Sequence, residues 1–100
     1  MTWKLFLDDV RAPPDGSWTV ARSVAAAEHH IDVYGLPLVM SLDHDLGDGR
    51  DAPVLLHLLI NRYLDGRMDT LKSVQISVHS ANPRGRENLL GLWAGFLKDG

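Results

Sequence analysis

The stretch Ser41-Leu42-Asp43-His44-Asp45-Leu46-Gly47 places two carboxylates and an imidazole directly after an apolar run, Leu36 to Met40, that has the character of a buried strand. Removing an unpaired carboxylate from water is costly, so this much charge beside a core strand requires partners. Two further stretches end in the same way, Leu5-Phe6-Leu7-Asp8-Asp9 and Val74-Gln75-Ile76-Ser77-Val78-His79-Ser80. Because the carboxyl ends of parallel strands meet at one edge of a sheet, the pattern predicts a single site there.

Strand-like and helix-like stretches alternate along the chain. The predicted strands are Lys4 to Leu7, Trp18 to Arg22, Leu38 to Leu42 and Val74 to Val78. Strands with almost continuous apolar character that alternate with helices are typical of an α/β fold with a mainly parallel sheet.

Residues that start and stop helices support this division. Ser23 is a predicted N-cap, and Gly35 ends the helix that follows it. Asp51 is predicted to cap a helix over Ala52 to about Leu64, and Asn82 precedes a proline at the first position of the last helix. The predicted inward-facing residues are Val24, Ala27, Ile31 and Tyr34 on the first helix, Leu55, Leu58 and Leu59 on the second, and Leu89, Trp93, Phe96 and Leu97 on the third.

The composition indicates an ordinary globular chain. With 100 residues, 45% of them hydrophobic and 23% charged, the chain is predicted to form one domain over residues 1–100. A net charge of −3 argues against broad binding to a nucleic-acid duplex, which needs a basic face. No apolar run is long enough for a membrane span, and the lack of cysteine fits a reducing cytosol, so we expect a cytoplasmic location.

The acidic residues are strongly biased towards aspartate, which supplies 11 of the 13. Short carboxylates on loops suit hard cations that prefer oxygen ligands, although aspartate is also common in turns and caps. Adjacent carboxylates repel each other unless something offsets their charge. We therefore predict that Asp8, Asp9 and Asp43 bind a divalent cation, Mg²⁺ or Mn²⁺, with loop capping as the alternative role.

Three blocks of the chain together carry a resemblance to a known family. They are Leu7-Asp8-Asp9-Val10-Arg11-Ala12-Pro13-Pro14, Ser41-Leu42-Asp43-His44-Asp45-Leu46-Gly47 and His79-Ser80-Ala81-Asn82-Pro83-Arg84-Gly85. Acidic residues after one strand, an aspartate after a second and a hydroxyl after a third resemble the response-regulator receiver domain. The three blocks are more closely similar to the compact family called cyclic-phosphate processing receiver domains, and the resemblance covers nearly the whole chain.

This resemblance implies a truncated flavodoxin-like (receiver-like) three-layer sandwich. We expect a four-stranded, mainly parallel sheet in the order 2-1-3-4, with helices on both faces and the site between the first and third strands. The chain departs from an ordinary receiver at two points. The proline-rich loop Arg11 to Gly16 stands where a receiver has its first helix, and the lysine on a receiver's final strand has no counterpart.

The residues that an ordinary receiver does not need provide candidates for catalysis. Hydrolysis of a phosphodiester requires an oriented water, a protonated leaving oxygen and neutralised charge on the oxygens bound to phosphorus. His44 and His79 titrate nearest neutrality and are predicted to divide the base and acid roles, with a structural role in tying loops together as the alternative. Asp45 is predicted to orient an imidazole or to act as a further ligand. The predicted phosphate-binding residues are Arg11, Ser80, Asn82, Arg84 and Arg86.

The favoured function is that of a metal-dependent phosphoesterase acting on a cyclic phosphate, such as a 2′,3′-cyclic RNA end or a cyclic nucleotide. One alternative is a non-catalytic receiver-like module that binds a phosphate-containing ligand. A degenerate signalling receiver that accepts phosphate on Asp43 is the third hypothesis, and the missing lysine makes it the least favoured. A homodimer is also possible, through an apolar second face of the middle helix formed by Leu56, Ile60 and Leu64.

Overall fold

Strands and helices alternate throughout the part of the chain that the computed structural model describes, residues 3–44, 51–79 and 83–99. The strands are β1 (Lys4–Leu7), β2 (Trp18–Ala21), β3 (Val39–Leu42) and β4 (Gln75–Val78), and the helices are α1 (Val24–Tyr34), α2 (Ala52–Leu64) and α3 (Pro83–Asp99). A short 3-10 turn, Leu71–Ser73, precedes β4. Each predicted strand is confirmed to within one residue at either end. Over the described ranges, no helix combines the length and hydropathy needed to cross a bilayer.

The four strands form one parallel sheet in the order β2-β1-β3-β4. Their register places one residue of each strand in a common row, because Leu7 pairs with both Ala21 and Leu42, and Leu42 pairs with Val78. The predicted flavodoxin-like topology with strand order 2-1-3-4 is therefore confirmed.

Local signals explain where α1 begins and ends. The Ser23 side chain accepts a hydrogen bond from the backbone amide of Ala26 at 3.1 Å, which confirms the predicted N-cap. At the other end, Gly35 has a φ of 81°, a conformation that favours glycine, and its amide donates to the Ile31 carbonyl at 2.8 Å. Asp51 stands at the N-cap position of α2, but its side chain makes no capping hydrogen bond there.

The hydrophobic core lies on one face of the sheet. Leu5 and Leu7 share this face, and the register aligns them with Met40 and Leu42 on β3. The helical members of the same cluster are Val24, Ala27, Ile31, Ala52, Leu55, Leu56, Leu59, Leu89 and Trp93. All three helices thus pack on this face, and the described residues contain no second helical layer on the opposite face, where one was expected. The reason is that β1 and β2 are joined by a loop instead of a helix.

Some residues do not face the core as the sequence predicted. Tyr34 is 50% exposed and Leu97 is 42% exposed, so neither belongs to the buried stripe of its helix. Leu56 is fully buried in the core, which removes it from the apolar second face proposed for dimerisation. Leu64 is 73% exposed, and Ile60 is half-buried.

The core predicts a clear contrast between two leucines on α2. Leu55 is fully buried, so Leu55→Ala should lower the free energy of unfolding by about 2–5 kcal/mol through lost transfer energy and a residual cavity. Leu64→Ala on the same helix should change it by less than about 0.5 kcal/mol, because that side chain is mostly in water. Urea unfolding followed by circular dichroism measures both. Equal losses for the two variants would contradict the assignment of the core.

Candidate functional site

Three carboxylates meet at the carboxyl edge of the sheet. One oxygen from each of Asp8, Asp9 and Asp43 lies within 4.8 Å of the other two. Asp8 is fully buried, Asp43 is 8% exposed and Asp9 is half-buried. Asp8 and Asp43 lie together because they follow Leu7 and Leu42, which are paired residues of β1 and β3. The spatial convergence expected from the sequence is therefore present in the structure.

Hydrogen bonds to Asp8 hold its carboxylate in one orientation. Its Oδ1 accepts from the backbone amides of Val10 and Arg11, both at 2.9 Å, and its Oδ2 is 3.0 Å from His79 Nε2. Burial alone raises the pKa of this carboxyl, but the two amides and the imidazole outweigh burial, so the pKa of Asp8 is lowered from its usual value. A carboxylate offers about four lone-pair positions. With three in use, Asp8 has about one left for a ligand.

The imidazole of His79 is held on three sides. Its Nε2 contacts Asp8, its Nδ1 lies 2.8 Å from the Ser41 hydroxyl, and its ring stacks on Phe6 with centroids 4.5 Å apart and planes 5° from parallel. Since ionised Asp8 only accepts hydrogen bonds, Nε2 carries the proton that it shares with this carboxylate. In the neutral imidazole, Nδ1 then accepts from Ser41. Both ring nitrogens are thus engaged within the protein.

Two arginines fix the loop that follows β1. The guanidinium of Arg11 donates to the backbone carbonyl of His79 at 2.8 Å, which ties this loop to the end of β4. Arg22 donates to the Asp8 carbonyl at 3.2 Å and also to the carbonyl of Arg11. The backbone around the acidic cluster is therefore held by charged donors as well as by the sheet.

His44 lies where the first turns of two helices come together. Its backbone carbonyl accepts from the amide of Ala52, the first residue of α2, at 3.2 Å. Its half-buried side chain packs against Gly85 in the first turn of α3. His44 also directly follows Asp43 in the chain.

The remaining predicted site residues divide into two groups. Arg84 and Arg86 lie in the first turn of α3 and are exposed, so the structure places them at the start of a helix as expected. Asp45, Ser80 and Asn82 lie outside the described residues.

Four residues that were not among the predicted site residues also contribute to this region. Ser41 and Phe6 position His79, Arg22 holds the loop after β1, and Gly85 packs against His44. Ser41 was recognisable as a hydroxyl inside an apolar strand, because a buried polar group requires a partner. A glycine in the first turn of a helix was the corresponding signal for Gly85.

The donor set fits a hard divalent cation. Carboxylate oxygens are the ligands that Mg²⁺ and Mn²⁺ prefer, and the usual magnesium site in proteins uses one or two carboxylates completed by water or phosphate. Three aspartates this close repel one another, and a cation among them removes that repulsion. The hydrogen bonds from His79 to Asp8 and from Ser41 to His79 are of the kind that orient metal ligands.

A parallel sheet of this order with an acidic cluster at its carboxyl edge defines a receiver-like domain. A family model described as "Cyclic-phosphate processing Receiver domain" matches residues 3–94, and the chain belongs to that family. No curated protein and no solved structure matches the chain.

The lowered pKa of Asp8 predicts a pH dependence of stability. The pKa of aspartate in an unfolded chain is about 3.9, and the folded-state pKa of Asp8 is lowered. Ionised Asp8 therefore stabilises the fold above that unfolded value, and the contribution is lost as the pH falls through the folded-state pKa. Between about pH 5 and about pH 2, the free energy of unfolding in metal-free buffer should fall more steeply for the wild type than for Asp8→Asn.

Asp69→Asn is the control for this comparison, because Asp69 is exposed in the segment before the 3-10 turn. Its pH profile should follow that of the wild type. Parallel profiles for the wild type and Asp8→Asn would show that Asp8 is not stabilised as a carboxylate.

Proposed function

We propose that this chain is a metal-dependent phosphoesterase that processes a cyclic phosphate, either a cyclic nucleotide or a 2′,3′-cyclic RNA end. The observation that carries the proposal is the meeting of Asp8, Asp9 and Asp43 at the carboxyl edge, with the His79 imidazole bound to Asp8. Membership of a family named for cyclic-phosphate processing supplies the class of substrate. The proposed setting is cytoplasmic.

The three aspartates would hold Mg²⁺ or Mn²⁺ in this reaction. Bound there, the cation supplies positive charge to the phosphoryl oxygens and orients a water. Asp8 contributes one lone pair in a fixed direction, because its other positions are taken by Val10, Arg11 and His79. Asp43 and Asp9 provide the other protein ligands.

The two histidines take different roles in the proposal. His79 orients Asp8 rather than moving a proton to the substrate, because both its nitrogens are engaged by Asp8 and Ser41. His44, which directly follows Asp43 in the chain, is then the proposed acid or base at the substrate. Asp45 retains the proposed role of a further ligand or an orienting group.

Several groups favour an anionic substrate at the same edge. The helices α1, α2 and α3 each follow a strand, so their N-termini lie on the side where the strands end. Helix N-termini attract anions through their free amides and the helix dipole. The exposed Arg84 and Arg86 add positive charge to the first turn of α3, and the guanidinium of Arg11 has further N–H donors besides the one bound to His79. Ser80 and Asn82 complete the proposed phosphate-binding set.

A non-catalytic binding module is the second candidate function. The observation that favours it is the same engagement of His79, because an imidazole that serves as a structural donor leaves one fewer group for proton transfer. A module of this kind would hold a cation and a phosphate together and return the ligand unchanged. Phosphoacceptor signalling through Asp43 is less favoured, since the ammonium of Lys4 lies over Trp18 and that of Lys72 is 3.4 Å from the Leu97 carbonyl.

Asp43→Asn tests the proposed metal site and the chemistry together. Replacing one carboxylate oxygen by an amide nitrogen removes a charge and a cation ligand while preserving shape. Titration calorimetry with Mn²⁺ and Mg²⁺ should therefore show heat of binding for the wild type and none for the variant. Phosphorus NMR with a panel of cyclic phosphates should show turnover that is lost in Asp43→Asn, while the far-ultraviolet circular dichroism is unchanged.

Asp65→Asn is the control, because Asp65 is an exposed aspartate at the end of α2. It should bind metal and turn over substrate as the wild type does. Full activity in Asp43→Asn would exclude the proposed reaction. A ligand recovered unchanged from denatured wild-type protein would favour the binding module.

His79→Ala tests the orienting role of the imidazole. Loss of a group that hydrogen-bonds to a metal ligand typically weakens metal affinity by about 10- to 100-fold, and we expect a loss of that size for Mn²⁺. The control is His57→Ala, which removes an exposed imidazole from α2 and should leave the affinity unchanged. Unchanged affinity in His79→Ala would separate His79 from the metal site.

A further inference from the structure

Gly85 occupies a position where any side chain would collide with His44. A Cβ built on Gly85 would lie 2.6 Å from Cγ of His44 and 2.9 Å from both its Cβ and its Nδ1. These separations are well inside van der Waals contact between heavy atoms. Gly91 and Gly95, further along α3, differ from Gly85, because a Cβ at either would meet nothing within 4 Å.

The first turn of α3 therefore rests directly on the imidazole of His44. Gly85 is buried although its neighbours Arg84 and Arg86 are exposed, which places the contact on the inner side of the helix. The backbone of His44 cannot retreat easily from this contact. Its carbonyl is bound by the amide of Ala52, and the amide of the preceding Asp43 donates to the Leu7 carbonyl at 2.9 Å.

Glycine at position 85 lowers the stability of the helix, and the contact with His44 explains why a glycine is needed there. Glycine is the least favourable residue in a helix apart from proline, because it loses the most backbone freedom on folding. At an open position such as Gly91, alanine would be the better helix former. At position 85, the same methyl group would have to displace the His44 ring or move the start of α3 away from it.

We propose that Gly85 is a positioning residue, and that its missing side chain lets the start of α3 set the place of the His44 imidazole. The catalytic consequence rests on the proposed function, since it matters to turnover only if His44 acts on a phosphate held by the aspartates. The positioning itself depends only on the contact between α3 and His44.

The test compares Gly85→Ala with its matched control Gly91→Ala. The probe of position is the imidazole signal of His44 in proton–nitrogen NMR spectra of metal-free protein at one fixed pH, assigned by its absence from His44→Gln. Gly85→Ala should shift this signal, whereas Gly91→Ala should leave it in place. An unshifted signal in a folded Gly85→Ala protein would overturn the proposal.

A thermal unfolding cycle separates displacement of His44 from damage to the helix. Gly91→Ala should raise the midpoint temperature through better helix propensity, and Gly85→Ala should lower it or fail to raise it. In a His44→Gly background, which removes all three clashing atoms, Gly85→Ala should raise the midpoint relative to that background. If Gly85→Ala changes the midpoint equally in both backgrounds, the two residues are not coupled and the proposal fails.

Kinetics then distinguish failure of this inference from failure of the proposed function. With an active wild type, Gly85→Ala should lower kcat by about 10- to 100-fold, as expected when a reacting group is misplaced by about an ångström, and Gly91→Ala should not. If the wild type turns over no cyclic phosphate while the His44 signal still shifts, the proposed function fails and the positioning role stands. If the signal shifts and kcat is unchanged, Gly85 positions His44 but His44 does not serve the reaction.

Discussion

The register of three adjacent parallel strands determines the site. Leu7, Leu42 and Val78 form one row, and each is followed by a polar residue whose amide is fixed by the neighbouring strand. The amide of Asp43 donates to Leu7, and the amide of His79 donates to Leu42. A slip of one residue between any two strands would turn the polar side chain towards the leucine core. The same hydrophobic pattern that buries the core therefore places the carboxylates and the imidazole on its opposite side.

The two faces of the sheet contribute different parts of the site. The core face carries the helices, whose first turns border the carboxyl edge. Among the described residues, the strands place only apolar side chains on this face at that edge, namely Leu7, Ala21, Leu42 and Val78. The opposite face carries Phe6, Ser41 and the ring of His79, which together hold Asp8 in place. On this face the Ser41 hydroxyl supplies a hydrogen-bond partner for Nδ1 of His79, and the Phe6 ring covers one face of the imidazole.

Much of this arrangement could be predicted from the sequence, and the exceptions have physical reasons. Apolar runs that end in polar residues predict both the strands and the meeting of Asp8 with Asp43, because parallel strands end at one edge. The packing of the helices on one face of the sheet could also have been predicted from the order of the elements. Right-handed crossovers in one direction across the sheet put α1 and α2 on the same face. The partners of His79 were not predictable in this way, because Phe6, Ser41 and Asp8 reach it across three strands, β1, β3 and β4. A glycine in the first turn of α3 indicates a close approach, but its contact with His44 depends on how that helix meets the end of β3, which no local pattern encodes.

The position of β4 at the margin of the sheet gives the site two levels of local stability. The strands that precede Asp8 and Asp43, β1 and β3, are each paired on both sides, whereas β4 is paired with β3 alone among the described strands and leaves Gln75 and Ser77 exposed. Marginal strands exchange their amide protons through smaller openings than central ones do. Fraying of β4 would carry His79 away from Asp8 and leave the three carboxylates together. Asp8 and Asp43 thus follow doubly paired strands, whereas the imidazole bound to Asp8 follows a marginal strand, whose amides we expect to exchange faster.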